Sequence, residues 1–115
     1  MHKYLGYVNW FDKSSGQGMV YCPSIKSSLY VHYSAILFED NCHYLFRNLE
    51  KDSPVEFTIY ENSYMKQIDK IWPLKFNYSV ENEHKLTRLM DDLFFQGDTF
   101  IFKLADNYYK ESGSY

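Results

Sequence analysis

Few side chains in this sequence are suited to covalent or proton-transfer chemistry. His32 is a base by type, but no nucleophile or carboxylate stands beside it in the chain to make a catalytic set. Cys22, His32, Cys42 and His43 are zinc-ligand types, yet their spacing matches none of the closely paired patterns of zinc sites. There is no Walker-type phosphate loop and no cluster of metal-binding carboxylates. The sequence therefore predicts no enzyme, no metal and no cofactor. What it holds in excess is flat apolar rings: aromatics make up 20% of the residues, with 12 Tyr, 9 Phe and 2 Trp. That density serves either a strand-rich fold or a surface that stacks on flat ligands.

The bulk properties narrow the setting. A chain of 115 residues with 45% hydrophobic residues has material for one modest core and a short appendage. The net charge is −3, so no basic excess recruits a phosphate backbone. Residues 1–74 carry 7 basic and 8 acidic side chains, and residues 75–115 carry 5 and 7. A near-neutral first part allows either a nucleic-acid or a protein partner, while the acidic end argues against a nucleic-acid arm. Cys22 and Cys42 form no CxxC pair and are expected as reduced thiols. The first residues lack a signal-peptide pattern, and no apolar run reaches the roughly 18 residues of a membrane span. A soluble, cytoplasmic protein is the expectation.

Five short strands must position the rings. Residues 4–11 are aromatic and β-prone and end in the turn cluster Asp12-Lys13-Ser14-Ser15-Gly16. Residues 16–21 read as a second strand, stopped by Pro23. Residues 29–33 read as a third, with Tyr30 and His32 on one face and Leu29 and Val31 on the other. A long connection over residues 34–48 follows, of a length that is usually functional or separately structured. Val55, Phe57 and Ile59 alternate with polar neighbours in the clearest period-2 strand. Residues 66–72 give the fifth strand, closed by Pro73. Glu50-Lys51-Asp52 reads as a solvated turn.

The pattern changes after Pro73. Leu86, Leu89, Met90, Leu93 and Phe94 recur at helical spacing as an apolar stripe. Ser79 suits the N-cap, Glu81 and Glu83 the first turn, and Gly97 the stop, although Asp91 and Asp92 oppose the helix dipole. Residues 99–104 read as one more strand, and residues 111–115 as a frayed tail. The expected plan is mainly β: a five-stranded barrel over residues 1–74, then a helix-plus-strand extension over residues 75–115.

Gly6-Tyr7-Val8-Asn9-Trp10-Phe11-Asp12 followed by Gly16-Gln17-Gly18-Met19-Val20 resembles the opening of the cold-shock domain family, G-x-V-K-W-F-N and G-F-G-F-I. Leu29-Tyr30-Val31-His32-Tyr33-Ser34-Ala35-Ile36 is similar, nearly position for position, to that family's second motif, V-F-V-H-F-S-A-I. Leu49 to Phe57 resembles its L-x-E-G-x-x-V-x-F segment. The ordered likeness covers about residues 4 to 73.

The resemblance implies a five-stranded antiparallel OB-type barrel that binds single-stranded RNA or DNA by stacking bases on aromatic rings. The stacking positions it implies are Trp10, Tyr30, His32 and Tyr33, with Phe11 at the edge and Phe46 in the long connection. Lys13 is the cation left near the first motif. Gln17 and Met19 stand where the family has phenylalanines; the amide can bond a base edge and the thioether can pack on one. Asn9 replaces a lysine and Asp12 an asparagine. These departures imply weaker or altered nucleic-acid binding. They also keep open a second class of function: a homodimer or protein-interaction module, with residues 76–115 as the docking element. A third reading joins the two: the extension packs on the barrel, over or beside the stacking face, and limits the ligand length it accepts.

Overall fold

The computed structural model describes residues 2–37, 48–75 and 79–109. Five strands form: β1 (Tyr4–Asp12), β2 (Gln17–Cys22), β3 (Ser27–His32), β4 (Pro54–Glu61) and β5 (Lys66–Pro73). A single 3-10 turn, Tyr33–Ala35, follows β3. The strands close into a barrel in the order β1-β2-β3-β5-β4. All neighbours are antiparallel except β3 and β5, which run parallel where Tyr30 meets Gln67. The resemblance implied a wholly antiparallel barrel. A closed ring of five strands cannot alternate in direction throughout, so one parallel contact is unavoidable.

The inner core follows from alternation along these strands. Val8, Val20, Leu29, Val31, Val55, Phe57, Ile68 and Ile71 point inward and are buried. One irregularity matters for what faces out. Val8 pairs with Val20, but Trp10, not Asn9, pairs with Met19. The extra residue is a bulge, which resets the inside-outside alternation. Without it Trp10 would point into the barrel; with it Trp10 is 47% exposed.

Two helices follow the barrel: α1 (Val80–Phe95) and α2 (Ile101–Tyr109). The expected caps of α1 are in place. The Ser79 side chain accepts the Asn82 N–H at 3.0 Å. At the other end Gly97 takes φ +76, with Gly97 N–H bonded to Phe94 O and Asp98 N–H to Leu93 O. This paired bonding is a Schellman stop, which favours glycine because the left-handed conformation clashes with a Cβ. Leu86, Leu89 and Leu93 of the predicted stripe are buried, but Phe94 is 65% exposed.

The last element differs from the sequence expectation. Residues 99–104 were expected as a strand, and the chain is instead helical from Ile101. The aromatic and β-branched Thr-Phe-Ile-Phe run favours strand locally, but a closed barrel offers no free edge for a sixth strand. Helix formation satisfies the backbone internally and turns Leu104 and Tyr108, four residues apart, toward the barrel.

The helices bury a second core on the outside of the barrel. Leu74, Leu86, Leu89, Leu93, Leu104 and Tyr108 pack together there, against Leu5, Tyr7 and Tyr21 of β1 and β2. Polar links tie the layers. Lys85 Nζ lies 2.9 Å from Glu56 Oε1 and 3.3 Å from Glu81 Oε1. Lys75, buried at 2% exposure, is paired with Glu50. The Glu50-Lys51-Asp52 turn is thus more than a solvated loop: Asp52 N–H bonds Val8 O at 2.8 Å, and Asn107 Nδ2 bonds Lys51 O at 3.3 Å. Among the described residues no helix is long and apolar enough to cross a membrane.

Candidate nucleic-acid interface

The outer faces of β1, β2 and β3 form one continuous surface. Cross-strand register places Trp10, Met19 and Tyr30 in a row, with Gln67 of β5 next in line. Neighbouring strands lie about 4.8 Å apart, so rings in such a row are within reach of adjacent bases. A second row, nearer the β1–β2 turn, holds Asp12, Gln17 and His32. Met19, Tyr30 and His32 are half-buried, while Trp10 and Tyr33 are exposed at 47% and 45%.

Glycines seat two of the rings. Gly16 has φ +70, and a Cβ there would lie 2.5 Å from Cδ1 of Tyr33. The Tyr33 N–H bonds Gly16 O at 2.8 Å, so Tyr33 rests against the turn. A Cβ on Gly18 would lie 2.4 Å from Trp10 O and 2.8 Å from Cδ1 of Phe11. Bare backbone at Gly18 lets β1 approach β2 and leaves room for the Phe11 ring. The G-x-G spacing therefore positions aromatics on both sides of the sheet.

Hydrogen bonds fix the polar groups of the face. Tyr30 Oη donates to Gln17 Oε1 at 3.3 Å, which ties the Gln17 amide of the second row to the first. His32 Nδ1 accepts the Ser34 N–H at 3.2 Å and lies 2.8 Å from Ser34 Oγ. In the neutral ring that acceptor role places the proton on Nε2, the other edge. The His32 and Tyr33 rings are 4.5 Å apart at 44°. Asp12 is engaged locally: its carboxylate accepts Ser14 N–H at 3.0 Å and Ser15 Oγ at 2.9 Å. Asn9, at the bulge, accepts a bond from Ser28 Oγ at 2.8 Å.

The predicted residues are thus brought together unequally. Trp10, Gln17, Met19, Tyr30 and His32 share the face, and Tyr33 flanks it. Lys13 is exposed in the adjoining turn. Phe11 has the opposite parity to Trp10 and packs on the inner core. Phe46 lies outside the described residues. The sequence left open an extension lying over or beside this face but did not single out its lower half, where Leu5, Tyr7 and Tyr21 are covered by the helices. The signal was present: Tyr7 and Tyr21 occupy strand positions that alternation assigns to the outside.

Burial there affects Tyr7 directly. Its phenol is pushed up from 10.0 to about 12, first by burial and then by the nearby charges of Asp98, Tyr21 and Asp52.

Comparison with known proteins agrees with this geometry. The model of the 'Cold-shock' DNA-binding domain family matches residues 4–73. A search of curated proteins returned no match. Among solved structures, Drosophila Unr CSD456 is similar in fold, with TM-score 0.51 and 20% sequence identity. That likeness covers 68% of this chain and 29% of the Unr chain, so the present chain corresponds to a fraction of that protein's length. A family match over most of the chain, on a closed five-stranded barrel with aromatic-bearing β1, β2 and β3, shows that this chain belongs to the 'cold-shock' DNA-binding domain family.

Proposed function

We propose that the open half of this face binds single-stranded RNA or DNA, stacking bases on Trp10, Tyr30, His32 and Tyr33. Met19 adds an apolar contact, and the Gln17 amide bonds a base edge. The observation that carries this reading is the bulge at Asn9, which turns Trp10 outward into one row with Met19 and Tyr30. The family's nucleic-acid-binding character supports it. Each stacked base is worth about 1–3 kcal/mol. Four such contacts give roughly 8 kcal/mol gross, or micromolar binding before ordering costs. With Lys13 as the cation in the adjoining turn, affinity should fall only shallowly with salt, since each phosphate contact adds about 0.7 to the log–log slope for single strands. A role as an RNA chaperone or transcript regulator would follow from such weak, base-tolerant binding.

Tryptophan fluorescence tests the proposal. Oligopyrimidine DNA and RNA should quench Trp10 at low salt, and Trp10→Phe should abolish the quench while leaving the Trp72 signal. No quenching at protein concentrations on the order of 10–50 μM would sink the reading. The second reading, a dimer or protein-docking module through residues 76–115, is favoured by the exposure of Phe94, Phe95 and Phe102 at 65%, 83% and 74%. Light scattering that finds a dimer would support it; a monomer would count against self-association.

A further inference from the structure

The stacking face does not end where the open surface ends. Met19 and Tyr21 are two residues apart on β2 and so point to the same side. Tyr7 pairs with Tyr21 two register steps below the Trp10–Met19 pair, with the inward Val8–Val20 pair between them. The barrel therefore carries a taller aromatic surface than it exposes, with Trp10 and Tyr30 above and Tyr7 and Tyr21 below.

The lower rings are occupied by groups from the C-terminal extension. The Phe100 ring lies on Tyr7 with centroids 4.2 Å apart and planes 19° from parallel. Among the described residues Tyr4–Phe57 is also near-parallel at 19°, but its centroids are 6.0 Å apart, too far for close overlap, while Tyr7–Tyr21 is tilted at 42° and Phe94–Phe95 and Tyr108–Tyr109 are edge-on at 71° and 89°. Close, near-parallel overlap is how a base sits on an aromatic side chain. Phe100 is held there by its own backbone. Its N–H bonds Asp98 Oδ1 at 2.8 Å, and its C=O accepts the Leu104 N–H at 3.1 Å. Gln96 closes the neighbouring ring. Its Oε1 accepts from Tyr21 Oη at 3.1 Å, while its Nε2 donates to Pro23 O at 2.6 Å.

The geometry points to Phe100 as an internal stand-in for a nucleobase: it fills the Tyr7 position of the stacking face and sets how many nucleotides the domain holds. This rests on the stacking reading proposed above. A strand running down the face from Tyr33 and His32 meets Phe100 and Gln96 after the Trp10–Met19 row. The site is then short, at the low end of the about 4–16 nucleotides typical of an OB fold.

A length series of oligothymidylates of about two to eight nucleotides, read by Trp10 quenching, tests the inference. In the native chain affinity should stop rising at about four nucleotides. Phe100→Ala should leave the shortest oligomers unchanged and tighten the longest about 5-fold or more, the equivalent of one extra stacked base. That gain should vanish in the double variant Phe100→Ala/Tyr7→Leu. Identical length dependence in Phe100→Ala and the native chain would overturn the inference. Tyr7→Leu alone keeps apolar packing under Phe100 and does not depend on the alanine variant folding. It should bind every length as the native chain does; loss of affinity for long oligomers would show Tyr7 to be reachable and refute the proposal. Absence of quenching at every length in both proteins would instead remove the stacking reading itself.

Discussion

Replacing Lys85 by Met removes the ammonium that joins α1 to β4 while keeping most of its aliphatic stem. Glu56 then keeps a carboxylate beneath the helix with its partner gone. The two side chains are 15% and 10% exposed, and the ion pair is 2.9 Å long. Breaking a buried pair from one side costs about 3–5 kcal/mol, whereas an exposed pair is worth about 0–1. Glu56–Lys85 lies nearer the buried limit, but Lys85 also meets Glu81, whose side chain is 79% exposed, so water reaches the outer edge. The expected loss is about 2–3 kcal/mol, or about 8–12 °C in Tm for a chain of this length. Urea unfolding followed by circular dichroism gives the value. The double variant Glu56→Gln/Lys85→Met should recover about 1–2 kcal/mol relative to the sum of the singles. The effect should also depend on pH. Burial, the largest single influence on Lys85, lowers its pKa. The hydrogen bond and charge of Glu56, with those of Glu81, outweigh it and hold Lys85 above its ordinary 10.5. A lysine raised by folding contributes fully below about pH 10.5, and that contribution is lost as pH climbs through the folded value. The deficit of Lys85→Met should shrink in that window. A deficit under about 0.5 kcal/mol at neutral pH, or strict additivity in the double variant, would refute the reasoning.

Met19 stands between Trp10 and Tyr30 where a family relative carries a ring, so Met19→Phe should tighten oligonucleotide binding about 5-fold with little change in Tm; equal or weaker affinity in the quenching titration would count against the row as a stacking surface. Tyr7 should ionise late, at about 12, in an absorbance titration of the phenols, and Tyr7→Phe should remove that late component. Because folding favours the neutral phenol, the Tyr7 contribution to stability is complete below about pH 10 and declines as pH rises toward 12. A late component that survives Tyr7→Phe would reassign it.

Much of the barrel was legible because its signals are local. Alternation along residues 55–59, the turn at residues 12–16 and the glycines at 16 and 18 each specify a geometry that only neighbouring residues enforce. The caps of α1 belong to the same class, and Ser79 and Gly97 fall where the sequence placed them. The strand expected over residues 99–104 failed because propensity was outweighed by a tertiary fact, the closure of the barrel. Helical spacing of Phe100, Leu104 and Tyr108 was there to be read, but a short aromatic run supports either period. The bulge at Asn9 was similarly hidden. Its consequence, Trp10 out and Phe11 in, depends on counting residues against a partner strand. Alternation put Tyr7 and Tyr21 on the outside, but what covers them was hidden for a further reason: they look the same in sequence whether solvent, a base or Phe100 lies over them.

The second core has a practical consequence for anyone who would excise the barrel. A fragment cut after residue 74 would keep every strand and the whole inner core, so it would satisfy a family description of the domain. It would also strip the cover from Leu5, Tyr7 and Tyr21, leave Glu56 without Lys85, and turn buried Leu74 into a chain end. Contiguous apolar surface of that kind drives self-association. Such a fragment should be sticky and should bind oligonucleotides differently from the intact chain. Site sizes measured on it would describe a surface the native protein does not present.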